Sequence, residues 1–544
     1  MPGKTVAYQN ITGRNSSQQK ERENMKRKLF LTVLISFFAM LTIHCSSDSN
    51  SLVGNSNDLI QQMKDANLTV KEGSINSIDI IGMCCDTTKQ MPMCYGNNPG
   101  APYLTTYVPE GESQTVINSP LNYLGFPPAP STVGNDKSRS YRFGPNEALV
   151  IVGKTPSAIS LYYSYNVYIG LRCVTANCFA GASPNFLNDY TRRFATMVDA
   201  LNHTNIRTTG TPYGFQGDSF GKDTMIIITS DRAVDRRIRE SARKAGYSDA
   251  IINTIVIPLE YARLGLEYGK DEITVVQRLA ARDESYLSNP PLRLFRVAGS
   301  LPLEPFPTPP LTVHGGKNAS EKIRFQNAVA ALKSSILKKY GDLGYTATEY
   351  KTDRWVPYGR DMLALDENGA FNGYDILADN SDAVYLRIPD LAGGQPADRG
   401  NTFSLSNSPD DFIIVYGVNH ARAGSTIYSS ISTYRHTMLN GGNSLWIEPE
   451  GTSADDYLKG TSYAVQSPYL YVLRVARSCS GVADKLCLEV EDCRGCPGQH
   501  CNENCRTTGA DDLFLGMRGY IEPATGTGPS YDEIIWDSAI HFKK

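Results

Sequence analysis

Two stretches, PNEALVIVG at residues 145–153 and PDDFIIVYG at residues 409–417, follow one pattern without a gap: Pro, two polar residues, an apolar run, Gly. Each reads as a buried strand bounded by turn residues. A polar loop follows in both places, and then a run rich in aromatic and β-branched residues, ISLYYSYNVYI after the first and STIYSSISTY after the second. Strand, loop and strand predict a β-hairpin twice. The correspondence continues downstream, where GTPYGFQ at residues 210–216 is answered by GTSYAVQ at residues 460–466, each leading into a further strand (TMIIIT and LYVLRV). Order, spacing and local type agree. The expected fold class is α+β, with two homologous β-rich lobes, each built around a central β-hairpin.

The segment TMIIITSDRAVDRRIRESARKAGYSDAIINTIVIP reads strand, helix, strand, an element of the first lobe only. Ser230 or Asp231 caps the helix, Ala233, Ile238, Ala242 and Ala245 form its apolar stripe, and Gly246 ends it. Its arginines recur at helical spacing and read as a solvated face. A Pro-rich linker, residues 301–311, divides a first lobe at 101–300 from a second at 312–544. Ser320 opens a helix to about Tyr340, with Ile323, Val329, Leu332, Ile336 and Leu337 on its buried face.

A chain of 544 residues is too long for one hydrophobic core, in keeping with two lobes. The formal net charge of −3 gives no electrostatic ground for a nucleic-acid partner. Tyrosine is over-represented, 31 against 18 Phe, which favours strands and half-wet aromatic surfaces.

Residues 1–24 are polar and read as disordered or as a mis-assigned start. Residues 25–44 read as a signal peptide. Met25-Lys26-Arg27-Lys28 is positive, and the apolar stretch behind it would span roughly 22 Å as a helix, short of the ~30 Å hydrocarbon core. The closing LTIHCSS resembles a bacterial lipoprotein signal, in which the Cys after cleavage becomes the lipidated N-terminus. His44 stands where such signals usually carry a small residue. The resemblance implies lipidation at Cys45, anchoring to a bacterial membrane, and a place in the cell envelope at the outer membrane or cell surface. A plain cleaved signal would make the protein secreted instead. Residues 45–100 then form a Ser/Asn-rich tether and a Cys-containing loop region.

Apart from Cys45, the cysteines fall in tight clusters, as expected of local disulfides in an exported protein. Cys173 and Cys178 are expected to be disulfide-bonded, as are Cys479, Cys487, Cys493, Cys496, Cys501 and Cys505. The spacing C-x2-C-x4-C-x3-C at residues 493–505 is also close to a zinc knuckle. In an oxidising compartment these thiols pair, so neither a metal nor a cofactor is expected.

GDSFG at residues 217–221 matches G-x-S-x-G and makes Ser219 the one candidate nucleophile. A nucleophile elbow needs a strand before it and a helix after it, and here the strand follows. Gly-Asp-Ser also resembles the GDSL-type esterases, whose partner Asp-x-x-His is answered only by Asp537 to His541, one residue too long. A base would come from His420, in the loop of the second hairpin, or His436, just past its second strand. Asp375, Asp379, Asn380 and Asp382 are dense enough in oxygen for Ca²⁺ but lack EF-hand spacing, and an Asx-rich turn accounts for them.

Tyr163 and Tyr165 share one strand face, and Tyr428 and Tyr434 occupy similar places in the second copy. Aromatic platforms of this kind stack on sugars and peptides. The expected role is therefore a lipid-anchored cell-envelope protein that binds a ligand, carbohydrate or peptide, at the junction of its lobes. Two other classes stay open: an envelope serine hydrolase using Ser219 with His420 or His436, and a structural envelope scaffold without a small ligand.

Overall fold

The apolar runs of the repeated pattern form the middle strands of two five-stranded sheets. Glu147–Lys154 lies between Leu292–Gly299 and Asp223–Thr229, with Leu68–Glu72 and Ile252–Val256 at the edges. Asp411–Val418 lies between Ser538–Lys543 and Leu470–Ala476, with Thr346–Tyr350 and Cys487–Glu489 at the edges. In both sheets every pair is antiparallel except one parallel pair at the same edge. This computed structural model describes residues 54–78, 98, 102–114, 136–173, 190–281, 283–312, 314, 320–367, 376–391, 400–436, 440–447, 453–482, 484–490 and 512–544. The expected lipidation site Cys45, the signal segment, Asp375, Cys178, Cys493, Cys496, Cys501 and Cys505 lie outside the described residues. Among the described residues no helix is long and apolar enough to cross a membrane.

Each half has a second, antiparallel sheet. The first runs Ser74–Ile78, Tyr103–Pro109, Glu272–Leu279, Tyr163–Cys173, Tyr190–Thr196. The other runs Asp353–Arg354, Ala383–Ile388, Leu513–Tyr520, Tyr428–Arg435, Asn440–Trp446. The same strand order thus occurs twice in the chain. Apolar side chains from both sheets of a half interdigitate in one core, Leu149, Ile151, Val167 and Val275 in the first and Val384, Leu386, Val415 and Leu473 in the second.

The expected hairpins are not formed. Glu147–Lys154 and Tyr163–Cys173 lie in different sheets, as do Asp411–Val418 and Tyr428–Arg435. The first connection contains a 3-10 turn, Ala158–Ser160, capped by Ser157. The second contains the short helix His420–Ala423, capped by Asn419 and stopped by Gly424 at φ 83°. These turns carry the chain across the sandwich. Apolar alternation identifies a strand but not its partner, and neither loop has the two-residue turn that commits neighbours to a hairpin.

The strand–helix–strand element forms as expected, with Arg232–Lys244 between the parallel neighbours Asp223–Thr229 and Ile252–Val256. The equivalent crossover in the second half is closed instead by the disulfide Cys479–Cys487. The stretch 45–100, expected as a tether and loop region, is in part built into the fold: Leu68–Glu72 and Ser74–Ile78 are strands of the first half's two sheets. Ser56–Asp65 is a helix whose Leu59 and Met63, one turn apart, are buried and which packs on Arg232–Lys244. The Pro-rich segment is a strap over a helix end: the Glu304 carbonyl accepts from Arg232 N at 2.8 Å, and its carboxylate takes both Arg236 Nη1 and Nη2. In Glu321–Asp342 the buried face is Phe325, Ala328, Leu332, Ile336 and Tyr340, and Ile323 is 84% exposed. The stripe runs through Phe325 and Tyr340 because the spacing from Leu332 and Ile336 keeps those two, and not Ile323, over the sheet.

Candidate functional site at the junction of the two halves

The second sheets of the two halves share one aromatic cluster that includes Tyr162 and Phe194 from the first and Trp355, Tyr385, Tyr428, Tyr434, Phe514 and Tyr520 from the second. The rings of Tyr162 and Tyr520 are 4.9 Å apart. Along each strand, alternate side chains go to the half's own core and to this junction. Tyr163 and Tyr165, expected as a ligand platform, go to the first core, where Tyr163 Oη donates to the Ser219 carbonyl at 2.8 Å. The platform expectation is thus corrected for these two residues: their neighbours Tyr162, Ser164 and Tyr168 point the other way, because one residue separates the two faces of a strand. Tyr428 and Tyr434 lie in the junction cluster.

A cross-strand row recurs on the two junction sheets. Arg278 stands in register between Tyr103 and Ser164, and Arg518 stands in register between Tyr385 and Ser430. Both arginines are buried. Arg278 donates from Nε and Nη2 to Tyr168 Oη at 3.1 and 2.8 Å and from Nη2 to the Ala378 carbonyl, with its guanidinium 5.4 Å from the Tyr103 ring centre. Arg518 donates to Tyr434 Oη, and its guanidinium lies 5.4 to 5.5 Å from the rings of Trp355, Tyr385 and Tyr434. Two donors in the same cluster, Tyr385 Oη and Trp355 Nε1, are buried with no hydrogen-bond partner among the described residues.

The acidic segment expected as an Asx-rich turn joins the halves. Asp379 accepts from Thr196 N at 2.9 Å and Gly359 N at 2.8 Å, and Asp382 accepts from Tyr162 Oη at 2.7 Å and Asn202 Nδ2 at 2.9 Å. Leu377 and Ala378, just before it, hold φ values of 61° and 54°, a left-handed backbone that costs a non-Gly residue energy and is kept by these surrounding contacts. Burial pushes the Asp382 carboxyl up to about 7, overriding the two donors and the nearby Arg278 charge, which pull it down. A carboxyl raised on folding favours the native state while protonated, so its contribution is full below about pH 4 and declines as pH rises through 7. The stability difference between the protein and its Asp382→Asn variant should therefore fall by about 4 kcal/mol between pH 4 and 8, read by urea unfolding.

The expected catalytic residues are not brought together. Ser219 is buried, and its Oγ donates to the His203 carbonyl at 2.6 Å. His436 Nδ1 is 3.2 Å from Arg387 Nη2. His420 Nδ1 is 2.9 Å from Glu321 Oε1, and its Nε2 lies 3.5 Å from Asp537 Oδ2. Neither His420 nor His436 is a partner of Ser219, so the expected triad is not assembled; the local order of loop before strand puts the hydroxyl on a backbone carbonyl rather than at a strand end. Fluorophosphonate should leave the folded protein unlabelled, and Ser219→Ala should cost about 1–2 kcal/mol through the lost hydrogen bond, measured by thermal unfolding. Cys173 is disulfide-bonded, with its partner outside the described residues.

Sequence reasoning missed Arg278, Arg518, Tyr103 and Tyr385. The available trace was an arginine inside an otherwise apolar strand, in VVQRL and in FLGMRGY. Among the described residues no group of three or more His, Cys, Asp or Glu side chains is placed to hold a metal ion.

No protein-family model matches this chain, and no curated protein matches it in sequence. Among solved structures it is similar to the VPA0106 protein from Vibrio parahaemolyticus, at 10% identity over 89% of this chain and 100% of that one, with a TM-score of 0.30. It is also similar to a putative uncharacterized protein from Burkholderia cenocepacia, at 8% identity over 85% of this chain and 86% of the other, with a TM-score of 0.32.

Proposed function

We propose that this chain is a lipid-anchored protein of a bacterial cell envelope, that its halves are homologous lobes, and that it binds a ligand where their second sheets meet. Arg278 carries the binding reading. It is a buried cation whose partners are a phenol, a backbone carbonyl and ring faces, and across the junction, against Arg518, lie two donors with no acceptor among the described residues. An ion left this way costs several kcal/mol unless something else completes its surroundings. The scaffold alternative asks for a junction whose polar groups satisfy one another, and Tyr385 Oη and Trp355 Nε1 speak against it. The hydrolase alternative draws no support from the surroundings of Ser219.

Homology of the lobes is supported by the twofold strand order and by the recurrence of a Tyr–Arg–Ser row at matching strands. Export is supported by the N-terminal sequence, with which the Cys479–Cys487 disulfide is in keeping. An alkynyl palmitate analogue fed to an expressing bacterium should label the membrane-bound chain, and Cys45→Ser should abolish the label and release the protein. Full labelling of the Cys45→Ser variant contradicts the anchor. For the binding role, a panel of peptides, oligosaccharides and small acids should contain a member that stabilises the full chain, by about 2.7 kcal/mol at a hundred times its Kd. A panel without saturable stabilisation contradicts it.

A further inference from the structure

We infer that the ligand of the junction is anionic, a small molecule bearing a carboxylate or phosphate group whose oxygens are received by the paired Tyr–Arg–Ser rows. The inference rests on the binding reading above and narrows it to a chemical class. Three other buried arginines are met by acids: Arg172 meets Asp271 at 2.9 Å, Arg142 meets Glu272 at 3.3 Å, and Arg296 meets Glu147 at 2.5 Å. Arg278 differs from these three and has no ion-pair partner among the described residues. The opposite sheet brings Arg518 to the same cluster, its guanidinium 5.4 Å from the Trp355 ring and 5.5 Å from the Tyr385 ring, and Arg387 follows Tyr385 on the same strand face.

The two carboxyls near Arg278 are already occupied. Asp379 is held by Thr196 and Gly359, and Asp382 by Tyr162 and Asn202. Burial raises both carboxyls above their ordinary range, which weakens their repulsion of an incoming anion. Among the described residues, Tyr385 Oη and Trp355 Nε1 lack an acceptor and Arg278 lacks a counter-ion. A carboxylate or phosphate supplies both: oxygens for Tyr385 Oη and Trp355 Nε1, and a planar or tetrahedral anion for guanidinium groups, which bind such groups in bidentate fashion. A neutral sugar would offer acceptors without compensating the Arg278 cation.

The test is calorimetric titration of the full-length chain in detergent and chloride buffer with inorganic phosphate, succinate and maltose at constant ionic strength. Phosphate or succinate should bind saturably and maltose should not; binding of phosphate alone assigns a phosphate-bearing ligand, and of succinate alone a carboxylate. Tyr385→Phe removes a hydroxyl that has no partner among the described residues, so the fold should hold while anion affinity falls about tenfold, the scale of one hydrogen bond to a charged group. Arg518→Lys, which loses the planar fork, should weaken it further. Anion binding unchanged in both variants overturns the assignment, as does saturation by none of the three probes. Saturable maltose binding that Tyr385→Phe weakens overturns the anionic class while the binding role itself stands.

Discussion

Replacing His420 by Gln should destabilise the protein by about 3–5 kcal/mol at pH 7, the cost of breaking a buried ion pair from one side. Three elements meet at this histidine: Glu321 opens the long helix, His420 opens the turn after the central strand, and Asp537 precedes the last strand. All three side chains are at most 2% exposed. Glu321 also accepts from Ile535 N at 2.8 Å, and Asp537 Oδ1 from Tyr471 Oη at 2.5 Å. Burial disfavours the imidazolium, but Glu321 and then Asp537 outweigh it and push His420 up to about 10. For Glu321, burial pulls upward, and the charge and hydrogen bond of His420 bring the carboxyl below its ordinary range.

The signs give a window. The raised His420 contributes fully below its unfolded value near 6.5 and is lost as pH climbs through about 10. The depressed Glu321 contributes above its unfolded value near 4.5 and is lost as pH falls through its folded one. Urea unfolding of the protein and the variant should therefore diverge most between pH 5 and 7 and converge above pH 10. A difference under 1 kcal/mol at pH 6 would mean that the imidazole is not the counter-ion of this pair.

Asp379→Ala should cost about 3–5 kcal/mol and loosen the join between the halves. The carboxylate takes Thr196 N and Oγ1 from the first half and Gly359 N from the second, and its loss strands buried donors, each at about 1–3 kcal/mol. Gly359 admits no side chain here, since a Cβ would come within 2.5 Å of both Asp379 Oδ1 and Thr196 N. Gly359→Ala should reproduce the defect. Hydrogen exchange should accelerate in Tyr190–Thr196 and Gly359–Glu367 in both variants, ahead of the outer sheets. Equal acceleration everywhere would place the loss in global stability alone.

Much of the scaffold was legible because it is local. The strands Glu147–Lys154 and Asp411–Val418 are continuous apolar runs, buried on both faces, and the helix Arg232–Lys244 has its Asp231 cap and its Gly246 stop in the sequence. Pairing was not legible. Whether Tyr163–Cys173 returns beside Glu147–Lys154 or crosses to another sheet is decided by contacts far away in sequence, and both outcomes need the same alternation. The site failed to read for the same reason. Ser164, Arg278 and Arg518 occupy the positions that alternation marks as solvent-facing, and they are buried only because a second sheet covers them. Tyr163 and Tyr165 drew attention as aromatics on one face, and that face is the ordinary core.

The ligand role is tested most directly by a crystal structure of the full chain grown with saturating phosphate or succinate, whichever binds. Non-protein density is expected between the Tyr103–Arg278 and Tyr385–Arg518 rows, within hydrogen-bond distance of Tyr385 Oη and Trp355 Nε1. Density for that ion elsewhere, with the junction closed by the protein's own side chains or by water, would contradict it.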